Sequence, residues 1–110
     1  MDIGDVPFSR TDWSEITRVE HKGETGISYW RTFEEGNVRV RMVEYSPDFR
    51  ADHWCPRGHV LLVLDGVLVI ELKDGRKFEL TPGISFQVGD DESNPHLAYS
   101  DEGAQVFIVD

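Results

Sequence analysis

The sequence predicts an all-β domain of about eight short strands, folded as a sandwich or barrel. Three observations lead there. Runs with apolar residues at alternate positions recur, as in Val38-Arg39-Val40-Arg41-Met42 and Ile84-Ser85-Phe86-Gln87-Val88, and period two marks a strand with one buried face. Turn residues separate the runs at roughly 8 to 12 residue intervals. No stretch carries apolar residues at helical spacing over a useful length.

Residues 1–26 are polar and punctuated by Pro7, Gly23 and Gly26, with 9–16 as a turn-like or single-turn helical piece. Phe8, Trp13 and Ile16 are spaced to touch a core, so this segment is expected to lie over the domain as an irregular arm. Strand grammar begins at Ile27. Residues 27–33 are rich in aromatic and β-branched side chains, and Glu34-Glu35-Gly36-Asn37 supplies turn chemistry. In 38–42 the two arginines share one face, expected to be solvated or salt-bridged, with anion binding the less favoured use. Ser46-Pro47-Asp48 breaks the pattern.

After the apolar run 60–64 come Asp65-Gly66, the run 67–72, the turn Lys73-Asp74-Gly75 and the run 77–80. Each Asp-Gly is a tight-turn signal. Around Asp65-Gly66 both parities are apolar, which leaves the register open. At the second turn, a three-residue connection with Gly75 at positive φ puts Phe78 and Leu80 on the face of Leu68, Ile70 and Leu72. A two-residue turn puts Lys77 and Glu79 there instead, and the first arrangement is expected. Thr81-Pro82-Gly83 turns into the strand 84–88. An acidic loop, 89–95, delivers His96 at the head of a strand over 96–100, and 104–109 forms the final strand.

The 110 residues have room for one domain with one core. Hydrophobic residues make up 39% of the chain, enough for a packed interior. The 11 Lys and Arg stand against 21 Asp and Glu, for a net charge of −10. Such a surface repels phosphate backbones and anionic headgroups, which argues against nucleic-acid and membrane partners. A single cysteine forms no internal disulfide, so the fold does not call for an oxidising compartment. Neither a signal-peptide pattern nor an apolar run near the ~20 residues of a membrane span is present. A cytoplasmic protein is the expectation.

Chemistry concentrates in Asp52-His53-Trp54-Cys55-Pro56-Arg57-Gly58-His59, which gathers two of the four histidines and the one cysteine. In an extended strand the side chains at i and i+2 share a face, so His53 and Cys55 project together. His59 keeps that parity if the bend at 56–58 preserves it. Imidazole and thiolate are the usual donors for a borderline or soft divalent metal, which makes His53, Cys55, His59 and the distant His96 candidate ligands. The competing reading has the cysteine as a small buried hydrophobe and the histidines as hydrogen-bonding groups.

These residues resemble the motifs of the cupin superfamily, small jelly-roll β-barrels (double-stranded β-helices). The first family motif is G-x5-H-x-H-x(3,4)-E-x6-G, and His53-x-Cys55-x3-His59-x6-Gly66 falls on it with the right spacing to the closing glycine. The second is roughly G-x5-P-x-G-x2-H-x3-N, loosely followed by Gly75, Pro82-Gly83 and His96. The resemblance covers about residues 38 to 109. The Asp-His-Trp-Cys string with its lead-in also looks like that of small bacterial single-domain cupins with a DHCW-type motif. It implies a barrel over 27–110 with the arm 1–26 packed on it.

Carried over position by position, His53 matches the first histidine and His96 the histidine of the second motif. Cys55 stands where the second histidine is expected and His59 where the glutamate is. Three histidines and a glutamate suit Fe, Mn or Ni; exchanging carboxylate for imidazole and adding thiolate favours Zn, Cu or Fe. Four protein donors would close the site, as in a structural centre. Three histidines with Cys55 off the metal would leave an open position for water or substrate. Trp54, Arg57, Phe86, Gln87 and Tyr99 are the expected wall of a small-ligand pocket, with plain core packing the alternative for Trp54 and Phe86. The implied function is a metal-dependent oxygenase or isomerase acting on a small polar molecule. A ligand-binding or sensing barrel without turnover, or a metal-free barrel with a relic pocket, are the alternatives. A homodimer is implied by the resemblance.

Overall fold

The alternating runs form ten strands: β1 Val19–Lys22, β2 Ile27–Glu35, β3 Val38–Tyr45, β4 Phe49–Arg50, β5 His59–Gly66, β6 Leu68–Leu72, β7 Lys77–Leu80, β8 Ser85–Val88, β9 His96–Ser100 and β10 Ala104–Val109. This computed structural model describes residues 3–110. One sheet has six strands in the order β1-β2-β3-β10-β5-β8, the other four in the order β4-β9-β6-β7. All pairings are antiparallel. The result is a single all-β jelly roll, its two sheets closed over a common interior. No helix among the described residues is long and apolar enough to cross a membrane.

Period two decides what the interior contains. On β5 the buried side chains are His59, Leu61 and Val63, while Val60 and Leu64 face out. This settles the parity that an apolar run on both faces had left open. On β10 the buried set is Ala104, Val106 and Ile108, and both strands feed a core completed by Val43, Leu68, Ile70 and Leu80. On β3 the expectation is met in part. Its two arginines share a face and are salt-bridged, both to Asp110, but that face is the inner one rather than a solvated one: Arg41 is buried between the sheets in step with Val43. A guanidinium enters such an interior only with a partner, and that partner, Asp110, was not foreseen.

The two Asp-Gly turns behave differently. Gly75 has φ 100°, and Leu68 lies opposite Leu80 and Ile70 opposite Phe78, the register expected of the three-residue connection. Asp65-Gly66 is no hairpin. Gly66 still pairs with Ala104 at the end of β5, and the chain then crosses to the other sheet as β6. Gly66 has φ 74°, and a Cβ built there would lie 2.1 Å from the Gly103 carbonyl oxygen. Only glycine supplies both the left-handed turn and the close approach.

The arm is less irregular than expected, since β1 adds an edge strand to β2. Trp13 packs edge-on against Phe107 with centroids 6.4 Å apart. Phe8, expected to reach the core, is 96% exposed.

Candidate metal centre

Three segments converge at one end of the interior. β5 opens with His59 facing inward, β9 opens with His96, and Cys55 is clipped to His96 by an isolated bridge. In that bridge the Cys55 N–H donates to the His96 carbonyl at 2.7 Å and the His96 N–H to the Cys55 carbonyl at 2.9 Å. One donor atom from each of Cys55, His59 and His96 lies within 4.8 Å of the other two. The histidine rings meet edge to face at 5.0 Å, and Cys55 Sγ is 3.6 Å from His59 Nε2.

His53, expected as the fourth ligand, is not part of this group. Its side chain is 71% exposed and its Nδ1 lies 2.7 Å from Asp52 Oδ1. The i, i+2 argument assumed an extended strand, whereas the chain bends at Asp52 and His53 and regular pairing resumes only at His59.

Asp110 is the residue the motif did not reveal. It continues the inward parity of Val106 and Ile108, and its backbone pairs with Arg39 at 2.7 and 2.9 Å. Its side chain is fully enclosed and accepts from Arg39 Nε (2.9 Å) and Nη2 (3.0 Å), Arg41 Nη2 (3.0 Å) and His59 Nδ1 (2.7 Å). Burial pushes the carboxyl up, but the Arg39 hydrogen bonds and the Arg41, Arg39 and His59 charges outweigh it and hold Asp110 at about 2. An ionised carboxylate against Nδ1 fixes the proton there and leaves Nε2, the nitrogen facing Cys55, as a lone-pair donor.

Burial lowers the pKa of both clustered histidines. Asp110 opposes the effect at His59, while at His96 the neighbouring His59 adds to it and brings the value to about 4. Both imidazoles are therefore neutral at pH 7, the form that ligates a metal.

The cluster opens on a cavity of about 370 Å³, the size of a small-ligand site. Arg39, Arg41, Trp30, Leu61, Phe86 and Ile108 are among its lining residues. Of the expected ligand wall, only Phe86 lines it. Gln87 sits on the outer side of β8 by two neighbouring clefts. Trp54 packs under Lys73 and Tyr99 under Arg50, at 4.4 and 5.5 Å. Arg57 is half exposed, its Nε 3.6 Å from Asp110.

The donor set fits a metal. With bond lengths of about 2.3 Å to sulfur and 2.0 Å to nitrogen, a tetrahedral ion separates sulfur from nitrogen by about 3.5 Å and two nitrogens by about 3.3 Å; Cys55 Sγ and His59 Nε2 are 3.6 Å apart, and the three donors lie within 4.8 Å. One thiolate and two imidazoles suit Zn, Cu or Fe better than Ni or Mn, and three protein donors leave a fourth position open. Thiol, imidazole and carboxylate in series is also the order of groups in a cysteine nucleophile and its base.

No protein-family model matches the chain, and no curated protein sequence matches it either. Solved structures do. A predicted oxalate decarboxylase from Thermotoga maritima superimposes with TM-score 0.77 at 13% identity, over 92% of this chain and 96% of that one. A sugar phosphate isomerase of the cupin superfamily from Silicibacter pomeroyi gives 0.73 at 17%, over 92% and 74%. An Fe(II)-HppE complex with an alternative substrate gives 0.74 at 14%, over 100% of this chain but 62% of that one. Likeness at such identities is likeness of fold, and the fold of this chain is that of the cupin superfamily.

Proposed function

We propose that this chain is a metal-binding cupin that admits a small polar molecule to the 370 Å³ cavity and transforms it, with Cys55, His59 and His96 holding the ion. One observation carries the reading: three metal-competent side chains from separate segments meet at the cavity, and a buried carboxylate sets the tautomer of one of them. A bound Zn, Fe or Cu ion would supply a Lewis acid and a place to activate water. The chain's own groups do the rest. Asp110 keeps the His59 proton on Nδ1, Phe86 packs edge-on to His96 at 5.6 Å, and Leu61 and Ile108 keep the inner wall apolar.

Metal analysis of the purified protein tests this. About one ion per chain is expected, lost in Cys55→Ala and His96→Asn; absence of stoichiometric metal from protein reconstituted with Zn, Fe and Cu overturns it. Metal retained without turnover on any substrate would make the cavity a binding or sensing site. The Cys55–His59–Asp110 series, with steps of 3.6 and 2.7 Å, favours a second reading in which His59 accepts the thiol proton and Cys55 is the nucleophile. That reading predicts metal-free protein whose Cys55 is alkylated by iodoacetamide much faster than in His59→Asn.

A further inference from the structure

The inner face of β3 carries more positive charge than its partner neutralises. Asp110 is shared between Arg39 and Arg41, with Arg57 at its edge. Among the described residues the acidic side chain lining the cavity is Asp52, 61% exposed and engaged by His53, while Lys22 adds a further cation. This surplus sits inside a protein whose net charge is −10. The Arg41 side chain is 94% buried, being 6% exposed, and lies 4.4 Å over the Trp30 ring. Its Nε is the buried side-chain polar atom without a hydrogen-bond partner among the described residues. A buried cation with a spare donor and half a counter-ion is costly unless something completes it.

We propose that the Arg39–Arg41 pair is an anion subsite that receives the carboxylate of a small organic acid. Two features favour a carboxylate over other anions. A planar guanidinium matches a planar carboxylate edge. One part of the remaining wall, formed by Leu61, Ile70, Ala98 and Ile108, offers an apolar body a surface that an inorganic ion cannot use. Burial and the neighbouring Arg39 both disfavour the charged form of Arg41, a strain that a bound anion relieves. The inference names the class of molecule for the function proposed above and rests on it for the identity of the reaction chamber; anion binding itself does not need the metal.

The test is an NMR titration of the EDTA-treated full chain with acetate, butyrate, benzoate and inorganic phosphate, following the Arg41 Nε–H and Trp30 indole signals. Butyrate or benzoate is expected to shift both saturably, more tightly than acetate, and to weaken as salt rises. Arg41→Lys keeps the charge and loses the fork, and is expected to bind about tenfold more weakly. The Arg41 and Trp30 signals in the wild type report an anion bound beside them should the variant not fold. The titrated protein is metal-free, so failure of the metal reading and failure of this one are separable. The proposal is overturned by no saturable shift up to about 50 mM, by equal affinity in Arg41→Lys, or by phosphate binding more tightly than every carboxylate.

Discussion

Replacing Asp110 by asparagine removes one negative charge and preserves the shape of the side chain that links β3, β5 and β10. A carboxyl held at about 2 against an ordinary 3.8 represents, at about 1.4 kcal/mol per pH unit, about 2.5 kcal/mol of stability at neutral pH. Breaking one side of a buried ion pair costs about 3–5 kcal/mol, because the remaining charge is left uncompensated. Asp110→Asn is therefore expected to lose about 2 to 4 kcal/mol at pH 7. The folded value is depressed, so this stability is fully present above pH 3.8 and is lost as pH falls from 3.8 towards 2. Urea unfolding of the metal-free wild type and variant between pH 3 and 7 measures the gap. A gap below about 0.5 kcal/mol at pH 7, or one that does not narrow below pH 4, would refute the buried-carboxylate account.

His53→Ala is expected to leave metal affinity within about twofold, whereas Cys55→Ala lowers it at least about 100-fold, measured by competition with a chromogenic chelator. Burial, then His59, takes His96 from 6.5 to about 4, so its contribution is fully present above pH 6.5 and is lost as pH falls towards 4. Allowing for screening at the cavity wall, the wild type should lose about 2 kcal/mol of metal-free stability across that window through this group. His96→Asn should show a visibly flatter pH dependence there, and an unchanged slope would contradict the assignment. Gly66→Ala should cost at least about 2 kcal/mol by thermal unfolding, because the new methyl must displace the Gly103 carbonyl at a positive φ.

The strands were legible because alternation and turn residues agree: His96–Ser100 and Ala104–Val109 are where the pattern places them, and the Gly75 turn sets the Leu68–Leu80 register. The site was half legible. Cys55, His59 and His96 stand out by residue type, but periodicity carries no information about a bend in irregular chain, so His53 was read into the cluster. Asp110 and the arginines were hidden by a different habit, that of reading charge as surface. Polar parity on β3 read as a solvated or salt-bridged outer face, while Asp110, just past the neighbouring strand β10, places a carboxylate on the inner face at the same level. The signal was present in Val106, Ile108 and Asp110, three residues of one parity, but its meaning depends on β10 lying next to β3. That is a long-range pairing which no local pattern specifies.

The position of β10 in the six-stranded sheet has an entropic consequence. It lies between β3 and β5, and the side-chain bonds it brings span 69 and 71 residues to the arginines and 51 to His59. Until it inserts, β3 and β5 have no common neighbour, the guanidinium groups have no counter-ion and His59 has no fixed tautomer. Closing loops of that length costs chain entropy before the contacts reward it, so the charge balance of the inner chamber depends on contacts among the most distant in the sequence rather than on any local segment.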